Sequence, residues 1–278
     1  MPLKLMYITN RTEVAEIADI TGVDRIFIDL EYIGKEDRQQ GLDTVKSYHT
    51  ISDILKIKKV LKNAELMVRV NPIHEKSSDF NGSDYEINSV IDAGADLVML
   101  PMYRSVAEIE KFLKIVNGRA KTQLLAETPE ACGIMKEAVS FPEVDEIHIG
   151  LNDLHLAYHK KFMFELLADG TVDKICNDIK KSQKPFGFGG IARIGYGILP
   201  AEYIIKEHYR IGSTRAILSR SFCNADKVKN AYEIKDIFEK EILKIRNMEK
   251  AVLNLSDSEL EKNRLEVIRL TKEIVKTM

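Results

Sequence analysis

The sequence has few of the features that mark secreted, metal-clustered or membrane proteins. It contains only three cysteines, Cys132, Cys176 and Cys223, which are widely spaced and form no CxxC pair. This pattern argues against a disulfide framework or a thiolate zinc site and indicates a reducing compartment. No apolar run approaches the ~20 residues of a membrane span, and the N-terminus turns polar too soon for a signal peptide. We therefore expect a cytoplasmic protein with no membrane partner.

An excess of charge of one sign is also lacking. Lysine and arginine together number 41 and aspartate and glutamate 43, so the formal net charge is −2, and no basic block occurs. Nucleic acid or an anionic membrane is therefore a poor candidate for the main partner. Apolar residues make up 45% and charged residues 30% of the 278 positions, which is enough for a large core and argues against disorder.

Eight short apolar runs alternate with helical patterns through the first four-fifths of the chain. The runs are nearly continuously apolar, which is typical of parallel strands covered on both faces. Eight βα units in about 225 residues predict an α/β fold, a (β/α)8 TIM barrel, rather than an open doubly wound sheet. The runs are residues 3–9, 25–31, 65–71, 96–102, 122–128, 146–151, 185–191 and 215–220.

Capping signals mark several of the helices between these runs. Thr12 is a candidate cap, and Ser83 followed by Glu86 predicts a capping box. Residues 1–225 are thus expected to form the barrel and catalytic domain.

Residues 226–278 are predicted to form a C-terminal extension of charged helices, with a cap at Ser256-Asp257. This extension could add a barrel helix and a solvated tail, or it could pack as an arm on a neighbouring subunit. Its apolar stripe is Leu260, Leu265, Ile268, Leu270, Ile274 and Val275.

Charged side chains stand at the carboxyl ends of four predicted strands, where a barrel places its chemistry. Asp29 and Glu31 end strand 2, Arg69 lies near the end of strand 3, Glu127 ends strand 5, and Asp153 follows strand 6. Four acids and one arginine at one mouth would repel or pair unless a cation is present. Oxygen ligands without clustered cysteine or histidine suit Mg²⁺ or Mn²⁺. Arg69 could then clamp the carboxylate of an organic acid, and an enolate would be stabilised electrostatically.

The ordered segments IDLE, VRVN, DAGADLVMLPM, LLAET and IGLNDL resemble the class II pyruvate aldolase / citrate lyase β-subunit family, a branch of the phosphoenolpyruvate/pyruvate barrels. The match runs from about residue 5 to 222. The resemblance implies that Glu127 and Asp153 hold a divalent metal, Mg²⁺ or Mn²⁺, and that Arg69 binds pyruvate and stabilises its enolate. It also implies that Gly150, Asn152 and Asp153 bind the substrate.

The activity implied is that of a metal-dependent carbon–carbon lyase, an aldolase that cleaves or forms a 2-oxo-4-hydroxy acid through a metal-bound pyruvate enolate. Its small-molecule partners would be pyruvate, or another oxo acid, and an aldehyde. A homo-oligomer, a trimer or hexamer, is expected. The segments IGLNDLH, PFGFGGIAR and ILSRSF resemble a branch associated with bacterial surface-polysaccharide genes, which points to sugar-derived substrates.

The chain departs from both main branches of this family. The aldolases typically carry a histidine directly after the strand-2 glutamate, where this chain has Tyr32. The citrate lyase-like members often have aspartate there, followed by lysine and arginine, and this chain keeps only Lys35 and Arg38. They also tend to have Pro-Lys after strand 4, where this chain has Pro101-Met102.

Two residues are candidates for proton transfer. Tyr32 replaces the family histidine, but an unperturbed phenol has a pKa near ~10, so a metal or an arginine would have to lower it. His49 lies in the long segment after strand 2 and could fold over the barrel mouth, or it could simply precede a helix capped at Thr50. The alternatives to an aldolase are a citryl- or malyl-type CoA-ester lyase, a phosphoenolpyruvate-using enzyme, and a catalytically reduced binding or scaffold barrel in a surface-polysaccharide pathway.

The other histidines give weaker signals. His155 and His159 have helical spacing and could form a metal pair or contact substrate, or they could be ordinary loop residues. His148 is expected to be buried and hydrogen-bonded between the barrel and its helices. The glycine-rich segment GFGGIARIGYG after strand 7 could bind phosphate or a sugar-acid tail, or it could reflect close backbone approach with Arg193 in a surface pair.

Overall fold

Eight parallel strands close into one barrel in a computed structural model that describes residues 1–34, 48–225, 227–228 and 230–278. Neighbours in sequence are neighbours in the barrel, and β1 pairs with β8 to close it. The predicted (β/α)8 barrel is confirmed, and the observed strands match the predicted runs to within one residue at their starts. Lys35 and Arg38 lie outside the described residues. The strands are Lys4–Ile8 (β1), Arg25–Asp29 (β2), Glu65–Arg69 (β3), Leu97–Leu100 (β4), Lys121–Ala126 (β5), Glu146–Ile149 (β6), Phe186–Ile191 (β7) and Arg215–Leu218 (β8).

Helices within the described ranges alternate with these strands and cover the outside of the barrel. Through the sixth unit they are Thr12–Ile20 (α1), Ile51–Val60 (α2), Ser83–Asp92 (α3), Val106–Val116 (α4), Pro129–Gly133 (α5), Met135–Ser140 (α6), Leu151–Ala157 (α7), Glu165–Ala168 (α8) and Thr171–Lys181 (α9). Ala201–Ile211 (α10), Ala231–Val252 (α11) and Asp257–Thr277 (α12) follow. In this part of the chain no helix combines the length and apolar character needed to cross a bilayer.

Two of the predicted helix caps are wrong. Ser83 is the first residue of α3, and its hydroxyl accepts a hydrogen bond from the His74 backbone N–H (2.9 Å) instead of capping the helix. The carboxylate of Glu86 turns to Asn71 at the end of β3, so the predicted capping box does not form. Thr12 is likewise inside α1, not before it. For Ser83 and Glu86 the sequence pattern was present, but both side chains bind tertiary partners. For Thr12 the helix begins one residue earlier than predicted.

The two C-terminal helices pack on their own barrel. Helix α11 packs against α1 and α10, and α12 packs against α8 and α10. The predicted cap forms, because the Ser256 hydroxyl accepts from the Glu259 backbone N–H. The stripe residues that pack against the main core are Leu260, Leu270, Ile274 and Val275. The apolar stripe therefore has a surface within the chain, while the division at residue 225 and the oligomeric state stay predictions.

A buried ion network fills the amino-terminal end of the barrel interior. Glu146, the first residue of β6, accepts two hydrogen bonds from Arg25 (2.6 and 2.8 Å) and two from Arg215 (2.8 and 2.7 Å). Arg25 is fully buried, and its Nε donates to Glu65 (2.7 Å). Burial alone would raise the pKa of Glu146, but the bonds from the two arginines lower it to about 2. The network ties together the first residues of β2, β3, β6 and β8.

An apolar layer separates this network from the opposite mouth of the barrel. Its buried members are Met6, Phe27, Met67, Leu97, Met99 and Leu125. These side chains alternate along their strands with residues that face the surrounding helices, as expected in a filled barrel interior. The charged residues at the carboxyl ends of the strands therefore lie next to a packed apolar layer inside the barrel.

We expect Glu146→Gln to lower the free energy of unfolding by about 3–5 kcal/mol, because it leaves two buried arginines without their shared carboxylate. Urea unfolding measures this change. The depressed pKa makes the stabilising effect complete above the unfolded pKa of about 4.3 and removes it as the pH falls toward about 2. The gap between wild type and variant should therefore shrink over that interval.

The matched control is Glu273→Gln, which removes an exposed partner of Arg269 on α12. Its urea midpoint should match that of wild type, since exposed ion pairs contribute little. Equal midpoints for all three proteins would contradict a stabilising role for the buried network.

Candidate active site

The predicted site residues meet in a cavity of about 470 Å³ at the carboxyl ends of the strands. Its lining includes Arg69 from β3, Glu127 from the end of β5, and Gly150, Asn152 and Asp153 from the end of β6 and the start of α7. Five of the seven predicted site residues are thus brought together. The described lining of this cavity does not include the two proton-transfer candidates.

Arg69 is held flat by two carboxylates. Its Nε and one terminal nitrogen donate to the two carboxylate oxygens of Asp29, each at 2.8 Å, and the other terminal nitrogen lies 3.1 Å from Glu31 Oε2. Burial would lower the pKa of Arg69, but the charges of Asp29, Glu31 and Glu127 raise it well above its usual range. These contacts account for three of the five guanidinium N–H groups, and within the described residues one N–H on each terminal nitrogen is left for a ligand. The guanidinium is a fixed, permanent cation in the wall of the cavity.

Glu127 is positioned by its neighbours at the ends of β4 and β6. The Met102 backbone N–H donates to Glu127 Oε1 (3.1 Å), and Met102 has a left-handed φ of 52°, which is uncommon outside glycine and often found at functional sites. A Cβ atom at Gly150 would lie 2.7 Å from Cβ of Glu127 and 2.8 Å from its Oε2. Glycine at position 150 therefore leaves room for the carboxylate, a function that the sequence prediction of a substrate contact missed.

The carboxylates of Glu127 and Asp153 fit a hard divalent cation. Both line the main cavity, and both also line a smaller cavity next to it, which places them as neighbours. With Asp29, Glu31, Arg69 and Arg220 they form a set of four acids and two bases, whose net negative charge favours a cation. Among the described residues no group of three or more histidine, cysteine or acidic side chains is placed to hold a metal. The protein would thus supply two oxygen ligands and leave the other positions to water and substrate, as is usual for Mg²⁺.

Comparison with known families shows to which family this chain belongs. Residues 4–165 match the model of the HpcH/HpaI aldolase/citrate lyase family, more than half of the chain. The chain belongs to this family. Its members are carbon–carbon lyases that generally depend on a divalent metal. The matched residues include the acids and the arginine that line the cavity.

Solved structures share the barrel at low sequence identity. An HpcH/HpaI aldolase/citrate lyase family protein from Burkholderia cenocepacia J2315 is 13% identical, with a TM-score of 0.62 over 84% of this chain and 95% of that one. The HpcH/HpaI aldolase from Desulfitobacterium hafniense DCB-2 is 12% identical, with a TM-score of 0.59 over 84% and 93%. The citrate synthase SbnG is 14% identical, with a TM-score of 0.57 over 78% and 86%. Among the curated proteins, none matches the sequence.

Tyr32, the first proton-transfer candidate, directly follows Glu31, but its surroundings do not favour a base. Its hydroxyl donates to the His49 carbonyl oxygen. Burial raises the pKa of Tyr32, and the charges of Asp29, Asp53 and Glu86 raise it further. This shift is opposite to the lowering that a catalytic phenolate requires. The structure gives no support to Tyr32 as the proton carrier.

His49 is buried behind Asp29, beside a second cavity of about 550 Å³. Its Nδ1 accepts a hydrogen bond from the Asp29 backbone N–H (3.0 Å), and a ring nitrogen that accepts cannot also carry a proton. If the ring carries one proton, that proton lies on Nε2, which would make that atom a donor. The two cavities share wall residues, which are Ile8, Ile217, Ser219 and Arg220.

Asn71 and Glu86 hold the rim of β2 in place, a function that sequence reasoning did not assign. The Asn71 side-chain oxygen accepts from the backbone N–H groups of Tyr32 (2.8 Å) and Ile33 (2.9 Å). Glu86 in turn accepts from the backbone and side-chain N–H groups of Asn71 (3.1 and 2.9 Å), and its burial raises the pKa of its carboxyl group. Asn71 was recognisable as a polar residue at a strand end. No local pattern pointed from it to Glu86.

His148 lies inside the barrel, not between the barrel and its helices as predicted. It shares the inward-facing side of β6 with Glu146 and lines the main cavity. Its Nε2 is 3.2 Å from the Gly189 carbonyl oxygen, and burial lowers the pKa of His148 to about 4, so the ring is neutral. A Cβ atom at Gly187 would lie 2.8 Å from its Nδ1. The apolar neighbours Ile147 and Ile149 suggested a helix-facing histidine, but strand alternation from Glu146 gives the correct side.

The two remaining sequence signals give no second metal site in the described residues. Helix α7 ends at Ala157, so His159 does not share a helical face with His155, whose Nδ1 lies 3.1 Å from the Leu151 carbonyl oxygen. Gly189, Gly190 and Gly197 of the glycine-rich segment do line the main cavity. The guanidinium of Arg193 lies over the Tyr196 ring, 5.2 Å from its centre. Phosphate binding by this segment stays a prediction.

We expect Glu86→Ala to speed amide hydrogen exchange at Tyr32 and Ile33, because Asn71 loses the group that fixes its side chain. The free energy of unfolding should fall by about 1–3 kcal/mol, the usual result of leaving buried donors unpaired. Exchange measured by mass spectrometry or NMR checks the first effect. Glu86→Gln keeps an oxygen at the accepting position and should restore slow exchange. Unchanged exchange in Glu86→Ala would contradict the positioning role.

Proposed function

We propose that this protein is a divalent-metal-dependent aldolase that cleaves or forms a 2-oxo-4-hydroxy acid, with pyruvate and an aldehyde as the smaller partners. The observation that carries the proposal is the single cavity lined by Glu127, Asp153 and Arg69 at the carboxyl ends of the strands. Membership of a carbon–carbon lyase family supports the type of reaction. The identity of the substrate and the dependence on a divalent metal both belong to this proposal.

Glu127 and Asp153 would hold Mg²⁺ or Mn²⁺, which as a Lewis acid would favour the build-up of negative charge on the 2-oxo acid. Arg69 would bind the same acid through the two N–H groups that Asp29 and Glu31 leave for it. Because both carboxylates hold the guanidinium in place beforehand, it would need little reorganisation as the enolate charge develops. Gly150 and Asn152, which line the same cavity, stay predicted substrate contacts.

We propose that His49 donates a hydrogen bond to the aldehyde oxygen and takes no part in the enolisation step. When the new carbon–carbon bond forms, the aldehyde oxygen gains negative charge and needs a hydrogen-bond donor. The Nε2–H of a neutral imidazole can supply one, and the bond from the Asp29 N–H to Nδ1 fixes this tautomer. In the cleavage direction the same N–H would orient the 4-hydroxyl oxygen. Tyr32 would hold His49 through its carbonyl group and not take part in the chemistry.

The CoA-ester alternative gains no support from the charges around the site. A CoA ester carries several phosphate groups, which usually require a set of basic residues. In the described lining of the main cavity the basic side chains of lysine and arginine are Arg69 and Arg220, and Arg69 is already paired with two acids. The position that carries a lysine in many lyases of the family is Met102, whose backbone serves Glu127.

We expect isothermal titration calorimetry to show Mg²⁺ or Mn²⁺ binding to wild type that weakens by at least about 100-fold in Glu127→Gln, since loss of a ligand should exceed the cost of losing its supporting contacts. Proton NMR of pyruvate in D₂O with the metal should show exchange of the methyl protons in wild type and not in this variant.

Glu130→Gln is the matched control for the same residue type. Glu130 is exposed three positions away and pairs with Arg104 (2.6 Å), so metal binding and exchange should match those of wild type. If wild type binds neither ion, the aldolase proposal fails. If it binds metal but leaves the methyl protons unexchanged, a binding or scaffold barrel is the better description.

We expect His49→Ala to lower the rate of aldol addition by about 100-fold, the usual loss when a donor to a developing oxyanion is removed. Pyruvate methyl exchange should stay near the wild-type rate, because it does not involve the aldehyde oxygen. Tyr32→Phe should leave both rates close to those of wild type. His159→Ala, at an exposed histidine outside the cavity lining, serves as the control. Loss of methyl exchange in His49→Ala would instead make His49 the enolisation base.

A further inference from the structure

One wall of the main cavity is apolar and is not needed for the pyruvate half of the reaction. We define this apolar wall as Phe162, Met163, Phe164, Ile198, Leu199 and Ile204. It lies in the same cavity as Arg69, Glu127 and Asp153, so a ligand can touch both without leaving it. Resting on the proposed function, we infer that the aldehyde partner carries an apolar alkyl or aryl group that packs on this wall, rather than a hydroxylated sugar chain.

The size of the cavity calls for more than pyruvate. At about 30 Å³ per water molecule, a volume of about 470 Å³ corresponds to about sixteen waters. Pyruvate has only six non-hydrogen atoms. The remaining space is large enough for the aldehyde and its side chain, and it lies within the range of ordinary ligand pockets.

The apolar wall is connected to the catalytic residues by the chain itself. Phe162, Met163 and Phe164 follow α7, the helix that carries Asp153, while Ile198 and Leu199 follow β7. The rings of Phe162 and Phe164 pack edge to face with centres 5.3 Å apart, and both are buried, so this part of the wall is preformed. An aldehyde joined to pyruvate would therefore have its substituent directed along a fixed apolar surface.

Exposed apolar surface at the rim extends the wall. Ile198 is 65% exposed although it borders the cavity. An alkyl or aryl group lying over it would remove apolar surface from water on both partners. A hydroxylated chain in the same place would lose hydrogen bonds to water and find no partner on the apolar wall, which costs free energy.

A polar alternative lies on the other side of the site. The second cavity beside His49 has hydrogen-bonding groups on Thr9, Asn10 and Asn224, and it shares Ser219 with the main cavity. A sugar-derived aldehyde would find several partners there. Glu127, Asp153 and Arg69, however, line the main cavity together with the apolar wall, and they are not part of the described lining of the second cavity. The continuity of the main cavity favours the apolar substituent.

Binding of stable 2-oxo acids, measured by isothermal titration calorimetry with saturating Mg²⁺, tests this inference without turnover. Affinity should rise from pyruvate through 2-oxobutanoate to 2-oxohexanoate by about 4-fold for each added methylene, with an increasingly negative heat-capacity change. A 2-oxo-3,4-dideoxy sugar acid of the same six-carbon length as 2-oxohexanoate, which lacks the 4-hydroxyl group needed for cleavage, should bind no more tightly than pyruvate. Tighter binding of the sugar acid than of 2-oxohexanoate would overturn the inference and favour the second cavity.

Ile198→Ser and Ile20→Ser form a matched pair, since Ile20 at the end of α1 is also exposed (52%) but outside the cavity lining. Ile198→Ser should weaken 2-oxohexanoate binding about 5-fold and leave pyruvate binding and methyl exchange unchanged, whereas Ile20→Ser should change none of them. Equal 2-oxohexanoate affinity in both variants would overturn the role of Ile198 and of the wall. If wild type neither binds nor exchanges pyruvate, the proposed function itself fails, which this series distinguishes from a wrong aldehyde class.

Discussion

The pairing of Arg69 with Asp29 and Glu31 is the interaction on which the rest of the site depends. Asp29 and Arg69 lie opposite each other in the parallel register of β2 and β3, so their side chains meet at the same height of the barrel. The pair fixes the end of β2, from which the Asp29 N–H reaches His49. The single positive charge of Arg69 offsets part of the charge of the four acids, and Glu127 adds to the field that keeps the guanidinium ionised.

The charges at the two ends of the barrel interior are arranged differently. At the amino-terminal end the carboxylate of Glu146 lies between Arg25 and Arg215, and Arg25 also reaches Glu65, so the charges are closed off among themselves. At the carboxyl end four acids face Arg69 and Arg220, and a divalent cation would offset the negative charge that remains. The apolar layer between them keeps the two networks from exchanging partners. Stability is therefore built at one end and the capacity for chemistry at the other.

The sequence alone was enough to predict the strands and five of the residues that line the main cavity, because both predictions depend on local signals. A continuous apolar run predicts a buried parallel strand, and a polar residue at its end, such as Glu127, must lie at the barrel mouth. The errors have a shared cause in tertiary partners that no local window contains. Ser83 and Glu86 matched a capping box, but their side chains instead accept hydrogen bonds from His74 and Asn71, respectively. The pKa of Tyr32 depended in the same way on burial and on acids brought near it by folding.

Gly150 has a consequence for how this enzyme family can diversify. Any side chain there would collide with the Glu127 carboxylate, so the part of the site proposed to bind pyruvate has no freedom at the end of β6. Phe162, Met163, Phe164 and Ile198 stand instead on connecting segments after α7 and β7. Of these residues Ile198 is exposed, and substitutions at exposed loop positions disturb a barrel least. Under the proposed function, a change at this position would alter which aldehyde is accepted and leave the proposed pyruvate-binding residues as they are.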